Sequence, residues 1–223
     1  MNHTPGGETH PRPHLLVLVT GTATEIGKTW FTSATATALR GHGLRVAARK
    51  PVQSAEAGSA TDAELLAAAT DEDPARVCPA ARTYKLAWAP PMAADELGLP
   101  PFSIADLVAE TTWDANTDVG LVEGVGGPHS PLASDGDTVD LARALEPDLV
   151  VLVADAGLGT VNAVRLSAPV FAGRPLLVAL NRYGVDPLHA RNRMHLETVD
   201  RFDVVTSPAE LATRVVALLE PRT

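Results

Sequence analysis

Lys28 stands where a glycine-rich turn meets the start of a helix. The segment runs Gly21-Thr22-Ala23-Thr24-Glu25-Ile26-Gly27-Lys28-Thr29. It follows a short apolar run with the character of a strand and precedes an alanine-rich stretch with helical spacing. Glycines let the backbone turn tightly and come close to an anion. Successive amides then point at phosphates, helped by the positive end of the helix. Lys28 is placed to bridge β- and γ-phosphates, and the Thr29 hydroxyl to hold magnesium. The order strand, loop, helix therefore predicts a nucleotide site. Five residues separate Gly21 from Gly27, where the commonest form of the motif has about four. Glu25 puts a carboxylate inside the cradle. Metal or amide contacts must offset its repulsion of phosphate, unless it serves only as a first-turn residue favoured by the helix dipole.

Other polar groups recur just after apolar runs. Lys50 ends the second run, before Pro51, and is a point charge able to meet a phosphoryl oxygen. Ser54, four residues on, brings a hydroxyl within reach of the same ligand. Asp62 and Glu123 are candidate carboxylates for a hard cation, with Thr29 as a third oxygen. Glu64 competes with Asp62 for that role, and Asp62 equally suits a plain helix start. Gly124, Gly126 and Gly127 follow Glu123 and permit close backbone approach to a phosphate. Gly157 and Gly159 precede Thr160 in another amide-rich turn suited to a carboxylate. Asn181 ends the fifth run, and an amide has both a donor and an acceptor for a base edge; it also suits a turn before Gly184. His129 and His195 are read as surface histidines.

These groups need a scaffold that gathers run ends on one side. Six short runs are continuously apolar: Leu15–Val19, Leu44–Ala48, Val119–Val122, Leu149–Ala154, Leu176–Leu180 and Phe202–Val205. Strands covered on both faces look like this. Helical stretches lie between them, among them Trp30–Arg40, Thr61–Ala69 (Ser59 or Thr61 as cap) and Ala209–Leu219. The expectation is an α/β fold with a doubly wound, mostly parallel sheet flanked by helices in three layers. Cys78–Leu107, with five prolines, reads as an irregular insertion beside the sheet, where substrates are often held. At about 100–200 residues per domain, 223 residues make one domain or at most two small ones, and one is expected. It is expected over residues 14–223, after a loose tail at 1–13.

Composition excludes several classes. Lys and Arg number 18 against 27 Asp and Glu, a net charge of −9, which disfavours nucleic acid as partner. The single cysteine, Cys78, excludes a disulfide framework and fits a reducing cytoplasm. Apolar runs are too short for a membrane span or a signal-peptide core.

In combination, Gly-Thr-x-Thr-Glu-x-Gly-Lys-Thr near the start, Arg49-Lys50-Pro51-Val52-Gln53-Ser54, Asp62, Val122-Glu123-Gly124-Val125-Gly126-Gly127 and Leu158-Gly159-Thr160-Val161-Asn162 resemble the dethiobiotin synthetase family, over about residues 15–182. The resemblance implies a P-loop ligase that converts 7,8-diaminopelargonate, CO2 and ATP, with Mg2+, to dethiobiotin, ADP and phosphate through a carbamic–phosphoric anhydride. Lys28 and Lys50 would carry catalysis. Nucleotide contacts would come from Thr24, Glu25, Ile26, Gly27, Lys28, Thr29 and Trp30, from Asp62, from Glu123, Gly124, Val125 and Gly126, and from Asn181, Ser207 and Pro208. Substrate contacts would come from Ser54, Lys50 and Gly126, and from Gly159, Thr160, Val161 and Asn162 across a homodimer interface. Thr29, Asp62 and Glu123 would hold the metal. Val205-Thr206-Ser207-Pro208-Ala209-Glu210 stands where the family keeps its base-binding loop and matches it loosely, so base preference stays open. Pro128-His129-Ser130 replaces the bulkier residues often found after the double glycine. Two other readings remain. A cobyrinate diamide synthase-like ligase would add a glutaminase domain with a catalytic cysteine. A partition-ATPase-like switch often has a second lysine early in the phosphate loop, absent here.

Overall fold

The computed structural model describes residues 11–56 and 58–219. Its first strand, β1 (Leu15–Gly21), is buried along its whole length. Leu15, Val17 and Val19 point to one face and Leu16 and Leu18 to the other, and each set joins a different hydrophobic cluster. That explains the unbroken apolar run: alternate side chains serve two cores. Helix α1 (Lys28–Gly41) starts at the left-handed Gly27 and covers the first face. Then come β2 (Val46–Arg49), β3 (Gln53–Ser54), α2 (Asp62–Thr70), α3 (Pro74–Val77), β4 (Thr83–Tyr84), α4 (Pro90–Glu96) and α5 (Ile104–Glu110). The second half holds β5 (Val119–Glu123), β6 (Pro131–Ala133), β7 (Gly136–Asp137), α6 (Thr138–Leu145), β8 (Leu149–Asp155), α7 (Thr160–Ser167), β9 (Leu176–Asn181), α8 (Pro187–Thr198), β10 (Asp203–Val205) and α9 (Pro208–Leu219).

The main sheet has six strands in the order β10-β9-β8-β1-β5-β2. All its pairings are parallel. In β1, Leu15 pairs with Val119 on one side and Val17 with Leu149 on the other. Chain order reverses about β1, so the crevice opens beyond its carboxyl end, between its neighbours β5 and β8. The six expected strands all form, offset by no more than two residues. Helices α1 and α9 pack on one face through Phe31, Leu39, Leu211 and Val215. The other face carries α4, α5 and α6 through Ala93, Leu107 and Leu141, and α7 and α8 through Val164 and Leu196.

Residues 78–107 are more regular than the prolines suggest. Pro90 and Pro91 open α4, where a missing N–H costs nothing. Tyr84, Phe102, Ile104 and Leu107 pack into the core beneath the sheet. Thr61, not Ser59, caps α2. Residues 1–10 of the expected tail lie outside the described residues. Arg12 donates to the Glu146 carbonyl at 2.9 Å and meets Asp148 at 3.1 Å. Among the described residues, no helix is long and apolar enough to cross a membrane.

Candidate active site

The carboxyl ends of the strands deliver the polar groups to one edge of the sheet. Gly21 ends β1, Lys50 follows β2, Glu123 ends β5, and Asp155 and Asn181 end β8 and β9, paired in register. A cleft of about 460 Å³ opens there. Thr24, Glu25, Gly27, Lys28 and Thr29 line one side. Lys50, Ser54, Asp62, Val125 and Gly126 line the other, together with Gln53, which stands inside one of the sequence motifs but has no role assigned to it there. Ile26 points away from the cleft into the hydrophobic core.

A tight polar cluster forms the floor. The Thr29 hydroxyl lies 2.8 Å from both Asp62 Oδ1 and Glu123 Oε1. Lys50 Nζ donates to Asp62 Oδ2 and Glu123 Oε1, each at 2.8 Å, and to the Gly124 carbonyl at 3.0 Å. Glu123 has no exposed surface, whereas the Asp62 side chain is 40% exposed. Burial pushes Lys50 toward the neutral form, but the Glu123 and Asp62 carboxylates outweigh it and raise its pKa. Burial likewise works against the Asp62 charge, and Lys50 more than reverses that, so its carboxyl titrates below the usual range. Lys28 has weaker support. Burial, then repulsion from Lys50, lowers its pKa to about 8, against smaller attraction from Glu123 and Asp62. Among the described residues its ammonium meets only the Ala23 carbonyl, at 3.2 Å.

Glu64 lies apart. Its carboxylate accepts from the Thr61 backbone N–H at 2.7 Å while its own N–H donates to the Thr61 hydroxyl, a reciprocal capping box at the start of α2. Asp62 is therefore the member of the pair that reaches the cluster. Thr29, Asp62 and Glu123 offer only oxygens, as a hard cation demands. Among the described residues, no three His, Cys, Asp or Glu side chains gather as a metal cage. Two carboxylates and a hydroxyl beside a phosphate loop suit magnesium, which keeps waters and takes phosphate oxygens for the rest of its shell.

A second cleft, about 530 Å³, continues past Gly27. Trp30, Asn181, Ser207 and Pro208 line it, together with Arg182, Tyr183 and Thr206. Asn181 donates through Nδ2 to the Ile26 carbonyl at 2.7 Å, tying β9 to the phosphate loop. Arg182 adds a second tie that no motif announced. One guanidinium nitrogen donates to Glu25 O at 2.6 Å and another to Asp155 Oδ2 at 2.7 Å. Both Glu25 and Arg182 sit at left-handed backbone angles, φ 58° and 57°, rare outside glycine and held here by these contacts.

Gly159, Thr160, Val161 and Asn162 line neither cleft. They form the start of α7, where Gly159 is left-handed and Leu158 is 93% exposed. The two histidines are side chains of the surface, His129 against Asp137 and His195 against Arg165.

The family described as AAA domain matches residues 16–218, well beyond the motifs. The chain is similar to the ATP-dependent dethiobiotin synthetase BioD of Rhodococcus jostii (strain RHA1), 41% identical over 170 residues that cover 74% of this chain and 71% of that one. Against the BioD of Ralstonia nicotianae the identity is 41% over 172 residues, 72% of each chain. Against that of Anaeromyxobacter dehalogenans it is 36% over 214 residues, 91% of this chain and 94% of that one. The fold is shared with a solved MinC:MinD cell division protein complex of Aquifex aeolicus, with a TM-score of 0.50 and 13% identity over 93% of this chain and 87% of that one. Identity of the degree seen in the first three, along so much of both chains, places the protein in the ATP-dependent dethiobiotin synthetase family of ligases.

Proposed function

We propose that the protein converts 7,8-diaminopelargonate, CO2 and ATP to dethiobiotin, ADP and phosphate, as a step of biotin biosynthesis in a reducing cytoplasm. One observation carries the reading: Lys28, Thr29, Lys50, Asp62 and Ser54 line a single cleft at the carboxyl edge of the sheet, with Glu123 buried directly behind Thr29 and Lys50. One substrate amine takes up CO2 as a carbamate. A carbamate oxygen attacks the γ-phosphate, giving a carbamic–phosphoric anhydride and ADP. The second amine attacks the carbonyl, the ureido ring closes and phosphate leaves.

No protein nucleophile is needed, so the chain contributes position and charge. Lys28 meets the phosphates as a point charge. Magnesium held by Thr29, Asp62 and Glu123 would neutralise phosphate charge when bound. Lys50 has three ammonium hydrogens, and all have acceptors. To meet a carbamate it must release one of them, and the half-exposed Asp62 is the partner easiest to let go. The Ser54 hydroxyl is buried without a hydrogen-bond partner at the cleft wall, which suits a contact completed by substrate. Trp30, Asn181, Ser207 and Pro208 are assigned to the base. Gly159 to Asn162 face away from both clefts of their own subunit, which supports a homodimer in which this loop serves the partner's site.

Phosphate release from ATP, measured with and without diaminopelargonate and bicarbonate, tests the reading. Release that requires both, with a product one carbon heavier than the substrate, is expected. Turnover indifferent to both would overturn it in favour of a nucleotide switch.

A further inference from the structure

Helix α1 presents two hydroxyls to one carboxylate. Residues three apart share a helix face, and Thr29 and Thr32 are so spaced. Thr29 Oγ1 lies 2.8 Å from Glu123 Oε1, and Thr32 Oγ1 lies 2.8 Å from Oε2. Thr32 is buried and lines neither cleft, so it acts on a ligand through the groups its hydroxyl touches, Glu123 foremost. Its hydroxyl also lies 2.9 Å from the Lys28 carbonyl. A single proton serves one acceptor at a time, and the ionised carboxylate is the stronger acceptor.

Lys50 and Thr29 both engage Oε1, which leaves Oε2 to Thr32 alone among the described side chains. The Thr32 hydroxyl sits between the Lys28 carbonyl and Oε2, and one rotamer serves both contacts. We infer that Thr32 is a positioning residue for cation binding: it holds the buried Glu123 carboxylate in the rotamer that turns Oε1 toward Thr29. The inference rests on the reading of Glu123 as a cation ligand. The i+3 spacing from Thr29 was visible in the sequence, but nothing there showed that a carboxylate 91 residues away would meet it.

The test compares Thr32→Val, which keeps the shape and loses the hydroxyl, with Thr32→Ser, which keeps the hydroxyl. Each protein is saturated with an imido-bridged, non-hydrolysable ATP analogue, and manganese binding is followed by electron paramagnetic resonance of the free ion. Outer partners of metal ligands commonly govern affinity by about tenfold or more. Thr32→Val is expected to bind manganese about tenfold more weakly, and Thr32→Ser to restore most of that loss. A packing role alone would leave manganese affinity intact in the valine variant, and that result overturns the inference. Should Thr32→Val not fold, Thr32→Cys, a weak donor of similar size, takes its place, and unchanged affinity there overturns the inference equally. Failure of diaminopelargonate to stimulate wild-type turnover would sink the functional reading instead, without touching the manganese comparison.

Discussion

The Lys50 ammonium lies 2.8 Å from Glu123 Oε1, and both side chains are buried. Neither charge could stay in so dry a place alone. Removing the ammonium by Lys50→Met leaves Glu123 with hydroxyl donors only. The expected loss is about 3–5 kcal/mol of stability, read as a fall in the urea midpoint. Adding Glu123→Leu to that variant should recover part of the loss, because the orphan charge leaves too. A loss under about 1 kcal/mol for Lys50→Met would show that the pair is weakly coupled.

Lys28→Ala should abolish substrate-dependent ATP turnover with the fold retained. A positioned charge on transferring phosphates contributes several kcal/mol to the transition state, and tenfold in rate is only about 1.4 kcal/mol. Retention of more than about a tenth of the wild-type rate contradicts the assignment. Circular dichroism on the same sample confirms folding.

The Lys28 pKa of about 8 gives that site a pH signature. Burial and Lys50 favour its neutral form, so the free enzyme loses this charge as pH rises through about 8. Phosphate binding favours the charged form and moves the titration upward. The alkaline limb of kcat/KM for ATP, which reports the free enzyme, should therefore fall near 8. The limb of kcat should lie at higher pH. Coincident limbs would show that Lys28 does not sense the phosphates.

Asp62→Asn should raise the magnesium concentration needed for half-maximal rate, since a hard cation prefers the charged oxygen. Glu64→Gln should leave that concentration unchanged and lower only the melting temperature, because Glu64 serves the cap of α2. Titrating magnesium against initial rate separates the two. A magnesium defect confined to Glu64→Gln would mean that α2 presents the wrong carboxylate in the structure.

The scaffold was legible because its signals are local. The run Leu15-Leu16-Val17-Leu18-Val19 can be a strand only if both faces are covered, and they are. Asp62 and Glu64 could not be separated by type, since both acids suit a helix start. Their roles part only where the capping box turns one outward and α1 receives the other. Arg182 was invisible for a different reason. Its partners, Glu25 and Asp155, lie 157 and 27 residues away, and the parallel registers of β1, β8 and β9 bring them together. The prolines of residues 78–107 misled because Pro90 and Pro91 start a helix as readily as they break one.

Gly27→Ala should weaken nucleotide binding sharply. The residue has φ 83°, and a methyl group there would run into the Asn181 amide. Asn181 would have to give up the Ile26 carbonyl, loosening the joint between the two clefts. Quenching of Trp30 fluorescence by ATP, in a variant lacking Trp88 and Trp113, reports the loss. Wild-type affinity in Gly27→Ala would mean that this joint does not shape the nucleotide site.

A site shared between subunits makes the sharpest demand. A two-fold interface gives two equivalent sites, each completed by the neighbour. Gly159 is left-handed, φ 92°, with no atom within 4 Å of an added Cβ. Gly159→Trp therefore strains and blocks the loop without a clash inside its own subunit. Mixed with Lys28→Ala, random exchange makes about half of all dimers mixed. Each mixed dimer then holds one intact site and one broken twice. Up to about a quarter of wild-type activity should return from two inactive parents. If tagged heterodimers are recovered and activity stays at zero, each subunit binds its substrate alone. The exposed Leu158 and Gly159 at the start of α7 would then need another role.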